Sequence, residues 1–221
     1  MTEFLRDGER LDDLQLNGLY VIQNPIRFCF GDDAVLLANF AAVKKNETVL
    51  DLCAGCGVIP ILLSSKTEGG FFTGLELQPD IAEMARRSIL MNNLQEKIRI
   101  DTGDLKQAPG IYGPGAFDVI TVNPPYMAGG KRNENASVAL ARHEITCTLS
   151  DVISVSAALL KKGGRFYMVH KPDRLADIFC EMRKYKSEPK TLKAVRPAEG
   201  KPPSLALVEG VKGGKAGLKF F

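Results

Sequence analysis

Asn123, Pro124, Pro125 and Tyr126 form one run in a chain of 221 residues, and their types suit a single task. Two prolines stiffen a turn and remove two backbone donors, leaving the Pro124 carbonyl free to accept a hydrogen bond. With the Asn123 side-chain oxygen it can hold both hydrogens of a planar amino group and draw the nitrogen lone pair out of conjugation. Tyr126 can stack on the ring that bears that amine. A proline-rich turn after a strand is the plainer reading of N-P alone, so a second motif matters: DLCAGCG at positions 51–57. Gly55 and Gly57 permit a tight turn and close approach of a ligand to a sheet edge and a helix N-terminus, with Cys53 and Ala54 in the same loop. A dinucleotide fingerprint needs a third glycine at position 60, where the chain has Pro60. Asp51 repels a pyrophosphate and attracts an ammonium or sulfonium group, which points to S-adenosylmethionine rather than NAD.

Further acids stand where later strands end. Glu76, followed by Leu77, lies 25 residues after Asp51 and suits the two hydroxyls of a ribose. Asp104, in Thr102-Gly103-Asp104, is placed to accept from an adenine amino group. Open α/β sheets bind ligands at the carboxyl ends of their strands, so these positions are expected to share one crevice.

The elements that must position them follow from hydrophobic patterning. Residues 48–52, 71–76, 98–101, 117–123 and 165–170 read as strands. A helix is expected after Gly57, another from Pro79 to the Asn92-Asn93 pair, a third over 151–160 closed by Gly163-Gly164, and a fourth over 172–185. Strand and helix alternating in this way predict a largely parallel sheet with helices on both faces. Before it, residues 18–30 are expected to form two short strands around Asn24-Pro25, followed by a helix over 32–43 capped by Asp32 or Asp33. After it, residues 190–196 and 204–209 read as a terminal hairpin. The expected organisation is a hairpin and helix over 1–45 packed on a core domain over 46–221.

Composition narrows the function classes. With 45% hydrophobic and 25% charged residues, disorder, collagen-like repetition and a disulfide scaffold are disfavoured. No run approaches the roughly 20 apolar residues that span a bilayer, and the N-terminus lacks a leader pattern, so a cytoplasmic protein without membrane association is expected. Five cysteines, an odd number, read as reduced thiols. Cys53 and Cys56 form a lone C-x-x-C, and with His143 and His170 far apart no metal is expected. The net charge of +3 is uneven: residues 1–160 carry 14 Lys/Arg against 20 Asp/Glu, residues 161–221 carry 15 against 6. The basic last quarter suggests a polyanionic partner, with a solvated Lys/Arg face as the plainer reading.

On these residues the chain resembles class I S-adenosylmethionine-dependent methyltransferases, and among them the amino-methylating group with N-P-P-Y. More narrowly, FCFGDDAVLLA at 28–38, ARHE at 141–144 and KGGK at 212–215 resemble the bacterial tRNA (adenine-N(6)) methyltransferase family, which acts on the adenosine 3′ of the anticodon in a valine tRNA. Members usually carry a further tail beyond the position of Lys215. The resemblance implies an α/β, Rossmann-like fold with a seven-stranded, mostly parallel sheet and an antiparallel last strand over 204–209. It implies that Asp51, Gly55, Gly57, Glu76 and Asp104 bind cofactor and that Asn123, Pro124, Pro125 and Tyr126 form the catalytic loop.

Direct transfer of a methyl group to an adenine amino group in RNA, most simply tRNA, is the expected chemistry. Lys131, Arg132, Arg142 and His143 are expected to meet the RNA, on a loop over 127–143 that orders when RNA binds; a solvated linker, with His143 as a structural hydrogen-bonded residue, is the plainer reading. Ribosomal RNA, DNA or a protein glutamine offer the same planar amino group. Outside the class, a nucleotide-dependent oxidoreductase is disfavoured by Pro60 and Asp51, and a non-catalytic RNA-binding domain has no need of N-P-P-Y.

Overall fold

The computed structural model describes residues 2–124 and 147–221. In chain order the elements are β1 (Arg10–Asp13), β2 (Tyr20–Gln23), α1 (Asp32–Phe40), β3 (Thr48–Leu52), α2 (Val58–Lys66), β4 (Phe71–Glu76), α3 (Pro79–Met91), β5 (Ile98–Thr102), α4 (Ala108–Tyr112) and β6 (Phe117–Val122). After the undescribed stretch come α5 (Leu149–Leu159), β7 (Leu160–His170), α6 (Leu175–Lys184), β8 (Ser187–Val195), β9 (Leu205–Lys212) and β10 (Lys219–Phe220).

Among the described residues the main sheet runs β10-β8-β9-β7-β6-β3-β4-β5. The pairings from β7 through β6, β3 and β4 to β5 are parallel, and β9 is antiparallel to both β7 and β8. The expected terminal hairpin is thus β8 with β9, and the antiparallel strand sits between β7 and β8. One strand more than the expected seven is present. β10 adds parallel to β8 at the sheet edge, where its backbone partners groups that an edge strand leaves open.

Both faces of the sheet are covered, which is why its central strands are apolar on successive residues. In β3, Val49 packs with α1, α2 and α3 in one core, while Leu50 and Leu52 pack with α5 and α6 in the other.

The N-terminal strands differ from expectation. β2 pairs with the upstream β1, and the second strand expected after Asn24-Pro25 is reduced to one bridge between Asn24 and Phe28. The polar RLDD stretch of β1 carries no apolar alternation, so its strand character appears only through its partner. Ser88 Oγ accepts from the Ile22 N–H at 2.9 Å and Asn92 Oδ1 from the Tyr20 N–H at 3.0 Å, fastening β2 to α3.

Helix ends differ too. Gly31 is the N-cap of α1, and Asp32 and Asp33 lie inside its first turn, where carboxylates favour the positive end of the helix dipole; the helix stops at Phe40 rather than at residue 43. Thr148 and Asp151 form a reciprocal capping box that starts α5 at Leu149. Gly163 and Gly164 do not close that helix. They lie within β7, where the pairing with β6 shifts register between Phe117 and Val119, and Gly163 takes the left-handed φ of +78° that the irregularity needs.

Candidate active site

Three neighbouring strands bring the expected residues together. Leu52 of β3 pairs with Leu75 of β4 on one side and with Val122 of β6 on the other. The residues just beyond these therefore converge at one sheet end: Cys53 with its loop, Glu76, and Asn123.

The loop after β3 turns sharply because three of its five residues, Cys53 (φ +59°), Gly55 (+53°) and Gly57 (+79°), are left-handed. Cys53 is the costly one, since a side chain is rarely tolerated there. The loop is braced by its neighbours: the Ala54 N–H donates to the Leu75 carbonyl at 3.0 Å and the Gly55 N–H to Glu76 Oε2 at 2.9 Å. Glu76 Oε1 accepts the Gln78 N–H at 3.0 Å, fixing the segment through Leu77. Glu76 is buried, with a second lone pair left on each carboxylate oxygen for ligand hydroxyls.

Asp51 is 1% exposed, and Thr121 Oγ1 on the adjacent β6 donates to its Oδ1 at 2.6 Å. Oδ2 is also buried and has no hydrogen-bond partner among the described residues. Burial pushes the carboxyl up to about 8, the Thr121 hydrogen bond works the other way, and the nearby Glu76 charge adds to the rise. A buried oxygen without a partner fits a donor or cation brought by a ligand.

The C-x-x-C has a packing role. Burial pushes the Cys53 thiol well above its ordinary value and that of Cys56 up to about 12, so neither is a thiolate at neutral pH. Cys56 lies within the core beside α2 and α3. Among the described residues no group of three His, Cys, Asp or Glu side chains is placed to hold a metal ion, and no helix is long and apolar enough to cross a membrane.

Asp104 follows β5 and caps a short 3-10 turn, Leu105–Gln107, accepting the Lys106 N–H at 2.9 Å. The Gly103 N–H donates to the Glu76 carbonyl at 2.9 Å, which holds Asp104 beside the end of β4. Asn123 is half-buried and Pro124 buried immediately after β6. Pro125, Tyr126, Lys131, Arg132, Arg142, His143 and the loop expected over 127–143 lie outside the described residues.

Three contributors lie outside the D-L-C-A-G-C-G and N-P-P-Y motifs. Thr121 partners Asp51 only because β3 and β6 pair in that register. Phe28 lies against Gly55 so closely that a Cβ there would sit 2.5 Å from its ring. Gly74 of β4 leaves room for Ala54, since a Cβ at Gly74 would lie 2.9 Å from the Ala54 Cβ and 2.6 Å from Ile100 Cδ1. The signal for Phe28 was its place in the 28–38 stretch; Thr121 and Gly74 offered none.

Residues 31–184 match the model of the methyltransferase small domain family. A tRNA1(Val) (adenine(37)-N6)-methyltransferase of Porphyromonas gingivalis is 29% identical over 185 residues, covering 81% of this chain and 72% of the relative. The proteins of that name from Aeromonas salmonicida and Escherichia coli are 28% and 27% identical, and the match spans 62% of each. Among solved structures, a protein described as a predicted O-methyltransferase from Agrobacterium tumefaciens superposes with a TM-score of 0.69 at 22% identity, covering 85% of this chain and 84% of that one. A geranyl diphosphate C-methyltransferase of Streptomyces coelicolor, solved with S-adenosyl-L-homocysteine, gives 0.61 at 13% identity, over 82% and 75% of the two chains. These likenesses bear out the Rossmann-like fold.

Proposed function

The chain belongs to the methyltransferase small domain family, and on that premise we propose that it moves a methyl group from S-adenosylmethionine to the exocyclic amino group of an adenine in RNA, adenosine 37 of a tRNA. One observation carries the reading: Asn123 and Pro124 leave β6 on the strand next to the buried Asp51, so an acceptor amine and a cationic cofactor would meet at one sheet end. The bound cofactor supplies an electrophilic methyl group on a positively charged sulfur. The Asp51 oxygen without a partner, the Glu76 carboxylate and the left-handed loop between them suit its charge, ribose and close approach.

Asn123 and the Pro124 carbonyl accept the two amine hydrogens and so orient a lone pair that is otherwise delocalised into the ring. No base is needed before attack, because the proton becomes acidic only after the nitrogen is alkylated and then leaves through Asn123 or to solvent. An unpaired base in an RNA loop reaches such a pocket at small unstacking cost. Ribosomal RNA, DNA and a protein glutamine present the same planar group, and the basic last quarter favours nucleic acid over protein. The relatives' names support tRNA among the nucleic acids.

The test offers labelled S-adenosylmethionine with tRNA, ribosomal RNA, DNA and protein in separate reactions and identifies the product by mass spectrometry. Methyladenosine in tRNA is expected. Label found in protein alone overturns the RNA reading.

A further inference from the structure

The far edge of the sheet carries a feature that methyl transfer itself does not use. Lys219 of β10 pairs with Thr191 of β8 and Phe220 with Leu192. The pairing runs one residue further: the Phe221 N–H donates to the Leu192 carbonyl at 2.9 Å, and the Phe221 carbonyl accepts the Ala194 N–H at 3.0 Å. Phe221 is therefore level with Lys193. Side chains alternate along a strand, so Phe221, Lys219 and Lys193 share one face while Phe220 takes the other.

These side chains are open to solvent. Phe220 and Phe221 are 68% and 69% exposed, and Lys193 and Lys219 are exposed as well. Among the described residues no carboxylate lies within ion-pair distance of either lysine. The register places two acids on that face, and both are taken: Glu209 by Thr191 at 2.5 Å and by the Tyr167 hydroxyl at 3.3 Å, and Glu188 by Arg183 at 2.8 Å. An exposed aromatic ring between two lysines that have no ion-pair partner among the described residues suits a polyanion whose bases have flat faces.

The edge is also in register with the pocket. Val122 of β6 pairs with Met168, Met168 with Val208, Val208 with Leu192 and Leu192 with Phe220. The chain leaves this row toward Asn123 on β6 and toward Phe221 on β10, at the same end of the sheet. Four strand spacings separate them, about 19 Å.

From this juxtaposition we infer that the β8–β10 edge docks a single-stranded part of the RNA next to the target base, with Phe221 stacking on a base and Lys193 and Lys219 holding the adjoining phosphates. The inference rests on the RNA reading above and adds where the strand runs.

The experiment measures binding of a fluorescently labelled, unmodified tRNA to the full chain over a salt series, with S-adenosylmethionine affinity as the control for folding. Phe221→Ala is expected to weaken RNA binding about 5-fold or more at unchanged salt slope, with Phe221→Trp restoring it. Lys193→Ala and Lys219→Ala are each expected to lower the salt slope by about one. Cofactor affinity stays level in all four. Wild-type protein that binds RNA no more tightly than the three alanine variants overturns the docking surface while leaving the RNA reading standing. Wild-type protein that binds no RNA overturns both. Light scattering that shows a dimer lost in Phe221→Ala assigns the edge to self-association and overturns the inference.

Discussion

Thr121 Oγ1 donates to Asp51 Oδ1 at 2.6 Å across the β3–β6 pairing, and the other carboxylate oxygen of Asp51 is buried without a partner. One oxygen of this carboxylate is committed to the fold, and the proposed function gives the other to the cofactor. Its protonation is therefore expected to report on cofactor binding.

Asp51 has an ordinary value of 3.8 and is pushed up to about 8 by burial. In the ligand-free protein the folded state holds a proton over the interval in which the unfolded chain has released it. The stability this group contributes is present below the unfolded value and is lost as pH climbs through the folded one. Asp51→Asn should flatten the fall in Tm between about pH 5 and about pH 8, and should weaken S-adenosylmethionine binding 10-fold or more at the alkaline end. Parallel Tm profiles for the two proteins would contradict the raised value.

On the proposed mechanism, Asn123→Ala removes one of the two acceptors for the amine hydrogens. Turnover should fall about 100-fold or more, while cofactor affinity by calorimetry stays within a few-fold. Full activity in this variant would refute the orienting role.

Gly55→Ala meets two obstacles, a φ of +53° and a Cβ 2.5 Å from the Phe28 ring. A loss of about 1–3 kcal/mol in urea unfolding is expected, with weaker cofactor binding. Adding Phe28→Ala relieves the clash but not the backbone strain. The double variant should lose less than the sum of the two singles; additive losses would place Phe28 away from the loop.

Arg87 gathers the N-terminal segment onto α3: it donates to Glu9 at 2.6 Å and to Glu83 at 3.0 Å, and it also bonds the Phe4 carbonyl. Arg87 and Glu9 side chains are only 14% and 8% exposed, so losing one partner strands the other. Arg87→Met should cost roughly 3–5 kcal/mol of stability at neutral pH, read as a lowered urea midpoint. The hydrogen bond from Arg87 holds the Glu9 carboxyl below its usual 4.5. Its share is present above the unfolded value and is lost as pH falls through the folded one, so the gap between wild type and variant should narrow in acid.

Much of the strand and helix order was legible in the chain because it rests on local rules. The runs at 48–52, 71–76 and 117–123 each place apolar residues at adjacent positions, Val49-Leu50, Phe71-Phe72 and Val119-Ile120, and those strands lie where both faces are covered. Glu76 ends β4, Asn123 follows β6, and Asp51, Gly55 and Gly57 lie near or just after the end of β3; strand ends in a parallel sheet share an edge, so their nearness was readable. β1 was missed because RLDD has no apolar alternation, and β10 because two residues carry no period at all.

What the sequence by itself determined was which residues stand at strand ends and what chemistry their types permit. Tertiary structure alone decided their partners: Thr121 for Asp51, the Phe28 ring over Gly55, Glu76 bracing the Gly55 N–H, and Phe221 level with Lys193. The physical reason is register. Each relationship joins residues distant in the chain, and moving a strand by one residue would turn every one of those side chains to the opposite face.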